Sequence, residues 1–492
     1  MPKTEKRPQF REDEHIVENK NLSIAHALIP VFALVGMLAY NVFVFGDDAI
    51  SGSNQFILLM GGAVAAVVGA FNKVSFKQML TEVEENVRST TGALLILLMV
   101  GALSGTWLVS GVIPAMIYYG LQILNPTIFL AACVIICCII SLATGSSWTT
   151  SATVGIALVG IGNALGIPMG MTAGAVLSGA YFGDKMSPLS DTTNLAPAMV
   201  GGELFSHIRY MALTTVPTIS IALIAFVVLG FTIDTSGVAD TATILANIKS
   251  TFNINGWLFL VPVAVVVLIV KKAPPLMALL IGTLLAALFA LIFQPDLLAG
   301  LGGGSSLTFE SGYKGILNSI TVDTVIDTDD PTLSDLFSSG GMAGMLGTIW
   351  LIICAMVFGG IMDGIGALER ITESLLKMAK STFSLFASTV GSCLALNITA
   401  SDQYLAIVVP GKMFAKAYED RNLAPENLSR TLEDSGTVTS VLVPWNTCGA
   451  YHSGVLGVGI GEYFIYAIFN WLSPIMTLIF AAFKIKIKQL AN

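Results

Sequence analysis

Long apolar runs, separated by short polar segments, make up most of the chain. They fall near 23–45, 55–71, 91–110, 126–165, 166–200, 211–232, 254–270, 275–293, 342–365, 381–415, 430–452 and 456–482. About 20 predominantly apolar residues are enough for a helix to cross the hydrocarbon layer of a bilayer. The pattern therefore predicts an all-α polytopic membrane protein embedded in a lipid bilayer.

Two of these runs, 126–165 and 381–415, are too long for a single spanning helix. Each is interrupted near its middle by small and polar residues, TGSS at 144–147 and TASD at 399–402. Irregular backbone at membrane depth is tolerated only where it is buried in protein or lines a cavity. We interpret both runs as re-entrant hairpins, which leaves about ten full spans and places both termini on the same side.

Composition and charge exclude several classes of protein. Of the 492 residues, 54% are hydrophobic and only 11% are charged, whereas a soluble domain carries roughly 25% charged residues. The six cysteines are too few for a disulfide framework in a chain of this length. The net charge of -8, without a basic cluster, argues against a nucleic-acid partner.

The basic residues are distributed unequally between the two predicted faces. With the N-terminus inside, 21 of the 24 Lys and Arg residues fall in cytoplasmic segments, and only Lys249 and Lys314 fall outside. Cytoplasmic loops of membrane proteins carry this excess of positive charge. We therefore expect a multi-pass protein of the bacterial cytoplasmic (inner) membrane with both termini cytoplasmic. The external segment 294–340 carries seven Asp and Glu residues and is predicted to be an acidic loop, with a flexible linker at 299–304.

Motifs recur in the same order about 250 residues apart, which predicts an internal repeat. Segment 144–148 corresponds to 398–402, and 183–184 corresponds to 433–434. Each predicted repeat has five spans plus one hairpin. Because five is an odd number, the second copy would enter the membrane in the opposite orientation. Such inverted repeats with broken helices are typical of secondary transporters. The predicted divisions are a cytoplasmic tail at 1–22, a first repeat at 23–253 with its hairpin near 126–165, and a second repeat at 254–492 with its hairpin near 381–415.

Carboxylates within the apolar runs indicate a functional site. A charge at the centre of a membrane helix costs roughly 2.5–3.5 kcal/mol on insertion scales, so such residues normally face a cavity or a partner. Pro188 prevents 183–197 from forming one continuous helix, and the broken backbone and hydroxyls offer the oxygen ligands that hard cations prefer. Helix packing alone could explain any single hydroxyl. The predicted ion- and proton-binding residues are Asp184, Asp191, Asp402, Asp434, Thr144, Ser147, Asn194, Thr399 and Asn446.

Lys185 is the one basic residue within the predicted membrane region. It could form an ion pair with Asp184, Asp191 or Asp434, or it could take part in proton exchange when desolvated. We favour the ion pair. The sequence has neither a P-loop nor a nucleophile–base arrangement, so neither ATP hydrolysis nor an intramembrane enzyme is expected.

Three segments resemble a known transporter family: GAYFGDKMSPLSDTTNLAP at 179–197, TGSSW at 144–148 and EDSGT at 433–437. Together they are similar to the NhaC-type sodium/proton antiporters of the ion transporter superfamily. The resemblance covers nearly the whole chain. It implies a scaffold domain, a mobile transport domain with two hairpins, a homodimer and an elevator-type motion.

The main hypothesis is a secondary active transporter in which entering protons displace sodium from a midplane site. A carboxylate that binds a proton coordinates sodium poorly, so each ligand lowers the affinity for the other. Sodium and protons are then the transported ions, and no cofactor is expected. The alternative is a sodium-coupled antiporter of small organic acids such as malate and lactate, because relatives within the family exchange these acids. A channel or a non-transporting receptor is disfavoured by the predicted repeat.

Overall fold

A computed structural model of the chain describes residues 17–45, 49, 52–123, 125–233, 241–328, 334 and 337–490. Most of the predicted N-terminal tail lies outside the described residues. Almost all the regular secondary structure of the described part is helical, which confirms the predicted all-α class. Within the described residues, two strands of two residues each, β1 (Thr324–Val325) and β2 (Ser338–Ser339), pair antiparallel.

The first half of the chain contains helices up to residue 251. They are α1 (Ile24–Phe45), α2 (Ser53–Phe71), α3 (Phe76–Val109), α4 (Val112–Ile123), α5 (Pro126–Thr144), α6 (Ser147–Thr150), a π-helical turn (Ser151–Gly155), α7 (Ile156–Ala164), α8 (Met169–Met186), α9 (Asp191–Met199), α10 (Leu204–Thr232) and α11 (Thr241–Thr251).

The second half follows a short 3₁₀ turn at Gly256–Phe259. Its helices are α12 (Leu260–Val270), α13 (Pro275–Phe293), α14 (Pro295–Leu301), α15 (Phe309–Thr321), α16 (Gly341–Gly344), α17 (Leu346–Gly364), α18 (Ala367–Leu376), α19 (Thr382–Thr399), α20 (Leu405–Glu419), α21 (Pro425–Leu432), a π-helical turn (Glu433–Thr437), a 3₁₀ turn (Ser440–Leu442), α22 (Thr447–Leu456), α23 (Ile460–Tyr463) and α24 (Ile468–Ala482).

Eight helices in the described residues are long and apolar enough to cross a membrane, or nine if the bent pair 242–251 and 256–270 counts as one span. The predicted runs 166–200, 430–452 and 456–482 are not among them, and non-helical backbone interrupts each of these three runs. The protein is thus a multi-pass membrane protein. The predicted number of ten spans and the re-entrant path of the hairpins stay predictions.

Helix breaks occur where the sequence predicts them. The first hairpin breaks between α5 and α6 at Gly145, which has a φ of 72°, and the second breaks between α19 and α20, where Ser401 has a φ of 60°. These two breaks begin 255 residues apart, and α9 and α22, which follow the two later breaks, begin 256 residues apart. The spacing agrees with an internal repeat, whereas the opposite insertion of its two copies stays a prediction.

The predicted external loop is more ordered than its composition suggests. Residues 299–304 are predicted to be a flexible linker, but α14 extends to Leu301 and packs against α15. The glycines make this possible, since a Cβ at Gly302 would lie 2.0 Å from the Ser311 carbonyl oxygen. This segment therefore uses glycine for close packing and not for flexibility.

Helix α8 packs at backbone distance against two neighbours. A Cβ at Gly183 would lie 2.3 Å from the Leu142 nitrogen of α5, and one at Gly174 would lie 2.5 Å from the Tyr466 carbonyl carbon. The Ser141 hydroxyl adds a 2.5 Å hydrogen bond to the Ala180 carbonyl. Small residues at regular spacing are what allow membrane helices to approach this closely.

The C-terminal segment is attached to the start of α21. Lys488 forms a 2.6 Å ion pair with Glu426, and its carbonyl accepts a 3.0 Å hydrogen bond from the Ala424 amide. Tyr210 of α10 donates a 2.6 Å hydrogen bond to Asn427. These contacts hold the helix that leads into the second π-helical turn.

We expect Gly183→Ala to lower the stability of the protein by about 1–3 kcal/mol, because the added methyl group overpacks the α5–α8 contact. The measurement is thermal unfolding of the protein in detergent. Gly36→Ala is the matched control: Gly36 also lies within a helix, but a Cβ there would have no neighbour within 4 Å. Equal melting temperatures for the two variants would contradict the packing argument.

Candidate functional site

In each half, the break inside the predicted hairpin lies against the next break along the chain, which is at 187–190 in the first half and at 443–446 in the second half. A Cβ at Gly145 would lie 2.7 Å from the Leu189 carbonyl carbon and 2.9 Å from the Ser190 nitrogen. In the second half, the Thr447 amide donates a 2.9 Å hydrogen bond to the Ser401 carbonyl. The local chemistry explains the breaks, since Gly145 adopts a left-handed conformation and Pro188 cannot donate a helix hydrogen bond.

Asp184 is the central carboxylate of the first break. It lies at the end of α8 and is 7% exposed. Its two oxygens accept hydrogen bonds from the hydroxyls of Ser147, at 2.6 Å, and Ser190, at 2.7 Å. The Thr193 hydroxyl donates a 2.9 Å hydrogen bond to the Asp184 carbonyl, which ties α9 to the end of α8.

Lys185 and Asp434 form an ion pair between the two halves of the chain, and both side chains are fully buried. Asp434 also accepts hydrogen bonds from the hydroxyls of Thr214, at 2.9 Å, and Thr477. Among its three possible partners, Lys185 thus contacts Asp434. The segments around Asp184 and Asp434 are adjacent, as a shared midplane site requires.

Hydrogen bonds to backbone groups fix the polar residues of the second break. Asp402 accepts from the amides of Tyr404, at 2.8 Å, and Leu405, at 3.0 Å, so it caps the start of α20. Asn446 caps α22 by accepting from the Cys448 amide at 3.0 Å, and it donates to the Asn397 carbonyl at 3.1 Å.

A cavity of about 680 Å³ lies between the two groups of breaks. Asp184 and Asp191 border it from the first half, and Asp402 borders it from the second half. Asp191 is exposed, whereas Asp184 and Asp402 are mostly buried. The other polar lining residues are Ser89, Thr90, Thr144, Ser146, Thr149, Ser190, Thr192, Asn194, Lys272, Gln403, Tyr404 and Thr447.

Five of the nine predicted ion-binding residues line this cavity: Asp184, Asp191, Asp402, Thr144 and Asn194. The other four make different contacts. Ser147 donates a hydrogen bond to Asp184, and Asp434 pairs with Lys185. Asn446 and Thr399 donate hydrogen bonds to backbone carbonyls. Lys272 and Tyr404 also line the cavity, although the sequence did not predict them as site residues. The sequence cannot show whether a residue at the end of a span faces a cavity, because its surroundings depend on tertiary packing.

The three cavity carboxylates do not converge on one point. Within the described residues, no three His, Cys, Asp or Glu side chains are close enough to hold one metal ion together. The arrangement can instead offer one carboxylate together with neutral oxygens, which suits a monovalent hard cation.

We expect Gly145→Ala to lower stability and to disturb the cavity. The new Cβ would combine a clash with Leu189 and an unfavourable positive φ, and each of these effects costs about 1–3 kcal/mol. Gly201→Ala is the matched control, because Gly201 has a φ of 71° but a Cβ there would meet nothing within 4 Å. Thermal unfolding of both variants separates the clash from the strain, and an equal loss in both would contradict the close contact at the tip.

Comparison with known proteins identifies the family of the chain. A family model described as the Na+/H+ antiporter family matches residues 179–485. The chain is 36% identical over 432 residues to the Na(+)/H(+) antiporter NhaC of Alkalihalophilus pseudofirmus, with 87% of this chain and 90% of that protein covered.

Two other relatives are named for different activities. The malate-2H(+)/Na(+)-lactate antiporter of Bacillus subtilis is 37% identical over 421 residues, covering 85% of this chain and 86% of that protein. The arginine/ornithine antiporter ArcD of Halobacterium salinarum is 33% identical over 486 residues, covering 97% and 96%. These similarities confirm the resemblance seen in the sequence and indicate a transporter, not an enzyme. The chain belongs to the Na+/H+ antiporter family.

Proposed function

We propose that this protein is a secondary active transporter that exchanges sodium ions for protons across the cytoplasmic membrane. The observation that carries the proposal is the cavity between the helix breaks, which is lined by carboxylates from both halves of the chain. Family membership supports the same function. Ionisable residues at such a position normally mark an ion pathway in a membrane protein.

Sodium would bind at the first break, with Asp184 as the charged ligand. Thr144, Thr192 and Asn194 line the same cavity, and their side-chain oxygens would complete an oxygen-rich shell. One carboxylate is enough to balance a monovalent charge. Asp191 and Asp402 would then attract cations into the cavity or take the place of Asp184 during release.

Competition would provide the coupling. Sodium and a proton would both be bound by the carboxylate oxygens of Asp184, so binding of either would lower the affinity for the other. Ser147 and Ser190 would hold this carboxylate in one orientation, because each donates a hydrogen bond to one of its oxygens. Alternate opening of the cavity to the two sides would turn this competition into exchange.

Asp434 would act differently from Asp184. Its oxygens already receive Lys185 and two threonine hydroxyls, and it does not border the cavity. We propose that Asp434 maintains the contact between the two halves, while sodium binds nearer to Asp184. Ser147, Thr399 and Asn446 would likewise support the site through other residues.

We expect Asp184→Asn to reduce sodium-dependent dissipation of a pH gradient in vesicles by about tenfold or more, because the charged ligand is lost. Raising the pH should increase the apparent sodium affinity of the wild type, since fewer protons then compete for Asp184. In Asp184→Asn this pH dependence should be lost. Asp296→Asn, outside the cavity on α14, is the control. If Asp184→Asn and Asp434→Asn both exchange normally, the site is misassigned.

Sodium-coupled exchange of small organic acids is the second candidate function. The cavity is much larger than one ion requires, and the relative from Bacillus subtilis is a malate/lactate antiporter. The charges are less favourable, because a dicarboxylate would face Asp184, Asp191 and Asp402, with Lys272 as the one basic lining residue among the described residues. Uptake of labelled malate and lactate into vesicles, with labelled arginine as a third substrate, separates these possibilities from sodium/proton exchange.

We also propose a homodimer with both termini in the cytoplasm. The dimer is implied by the family resemblance, and the orientation follows from the distribution of Lys and Arg. Cross-linking in membranes would detect the dimer.

Cysteine labelling of intact cells tests the orientation. We expect Lys314→Cys to react with a membrane-impermeant maleimide from outside, and Lys377→Cys to react only after permeabilisation. The two positions are well matched, because each lysine is more than half exposed and pairs with a glutamate four residues earlier. The reverse labelling pattern would contradict the orientation.

A further inference from the structure

Glu433 is a buried carboxylate that the exchange mechanism above does not use. It is the first residue of the second π-helical turn, directly before Asp434, and its side chain is fully buried. Neither of its carboxylate oxygens has a hydrogen-bond partner of normal length and angle within the described residues, although the Thr437 hydroxyl lies close enough to act on it. Buried polar groups in proteins are nearly always hydrogen-bonded, so this exception requires an explanation.

The neighbouring Asp434 is, by contrast, amply supplied with donors. It receives the Lys185 ammonium group and the hydroxyls of Thr214 and Thr477. If Lys185 moved away, Asp434 would keep both hydroxyl donors. Glu433 would gain its first strong donor if Lys185 moved to it, so the exchange of partners leaves neither carboxylate without support.

Lys185 is placed to make this exchange. It contacts Asp434, which directly follows Glu433 in the π-helical turn. Within the described part of the chain its ammonium group makes one hydrogen bond, to Asp434, although it has three donors. Lys185 also directly follows Asp184, so a cation bound at Asp184 would repel the ammonium group.

We propose that Glu433 is a positioning residue of the transport cycle and that it provides a second acceptor for Lys185. Lys185 pairs with Asp434 when the cavity holds no cation and moves toward Glu433 when a cation occupies Asp184. Both acceptors lie in a π-helical turn, a feature that frequently occurs at functional sites. The inference rests on the proposed sodium/proton exchange, because it needs a cation at Asp184.

The competing partner for Glu433 is Arg430, one helical turn earlier. The guanidinium group of Arg430 is fully buried and has no hydrogen-bond partner among the described residues, but it faces aromatic rings. It lies 4.5 Å from the centre of the Tyr210 ring and 5.8 Å from that of Phe480. Cation–π contacts of this kind satisfy a buried guanidinium in part, and they direct Arg430 toward α10 and α24.

The experiment measures exchange and sodium binding in the same variants. In vesicles, we expect Glu433→Gln to lower the maximal exchange rate about tenfold, with a nearly unchanged apparent sodium affinity. In detergent, sodium should still raise its melting temperature as it does in the wild type. Glu433→Asp should recover part of the rate, because it restores an acceptor for Lys185. Glu310→Gln, in an exposed ion pair on α15, is the control.

Each other result overturns the inference. A wild-type rate in Glu433→Gln means that Glu433 has no part in the cycle, whereas a lower melting temperature with lost sodium binding means that it only maintains the fold. The same loss of rate in Arg430→Gln, with an unchanged melting temperature, would assign Arg430 as the partner in place of Lys185. If the wild type itself shows no sodium-dependent exchange, the proposed function fails first, and the two failures are thus distinguished.

Discussion

The ion pair between Lys185 and Asp434 is the contact on which the arrangement of the site depends. It joins residues 249 positions apart, and both side chains are removed from solvent. Burying either charge alone would be strongly unfavourable, because desolvation costs several kcal/mol per ion and the partner repays it only at close range. The end of α8 and the second π-helical turn therefore have to stay together wherever the rest of the chain moves. This constraint places the breaks of the two halves around one cavity.

The sequence predicts the breaks well because their causes are local. Pro188 lacks the amide hydrogen that a continuous helix needs, and Gly145 permits a left-handed backbone. The hydroxyls and carboxylates beside the breaks are equally visible in the sequence, since they are rare in apolar runs. The all-α class and the membrane location also follow from composition and patterning, because neither depends on contacts between distant segments.

The parts that the sequence does not predict depend on tertiary packing. Asp184 and Asp434 look alike in the sequence, yet Asp184 borders the cavity and Asp434 is enclosed by a lysine and two hydroxyls. The glycines at 302–304 suggest a flexible linker, but Gly302 allows α14 to pack against α15. In both cases the same residue type can serve two purposes, and only the neighbours supplied by distant segments decide between them.

The close packing of α8 has a consequence for how the site can move. Its glycines bring it to backbone distance of α5 on one side and of the chain around Tyr466 on the other, so the helix has no space to rotate about its axis or slide along it. Asp184 and Lys185 at its end cannot be displaced alone. Any motion that carries them across the bilayer must take α5, α8 and the segment around Tyr466 along as one rigid body, and the sliding surfaces must lie farther out, where side chains rather than backbones meet.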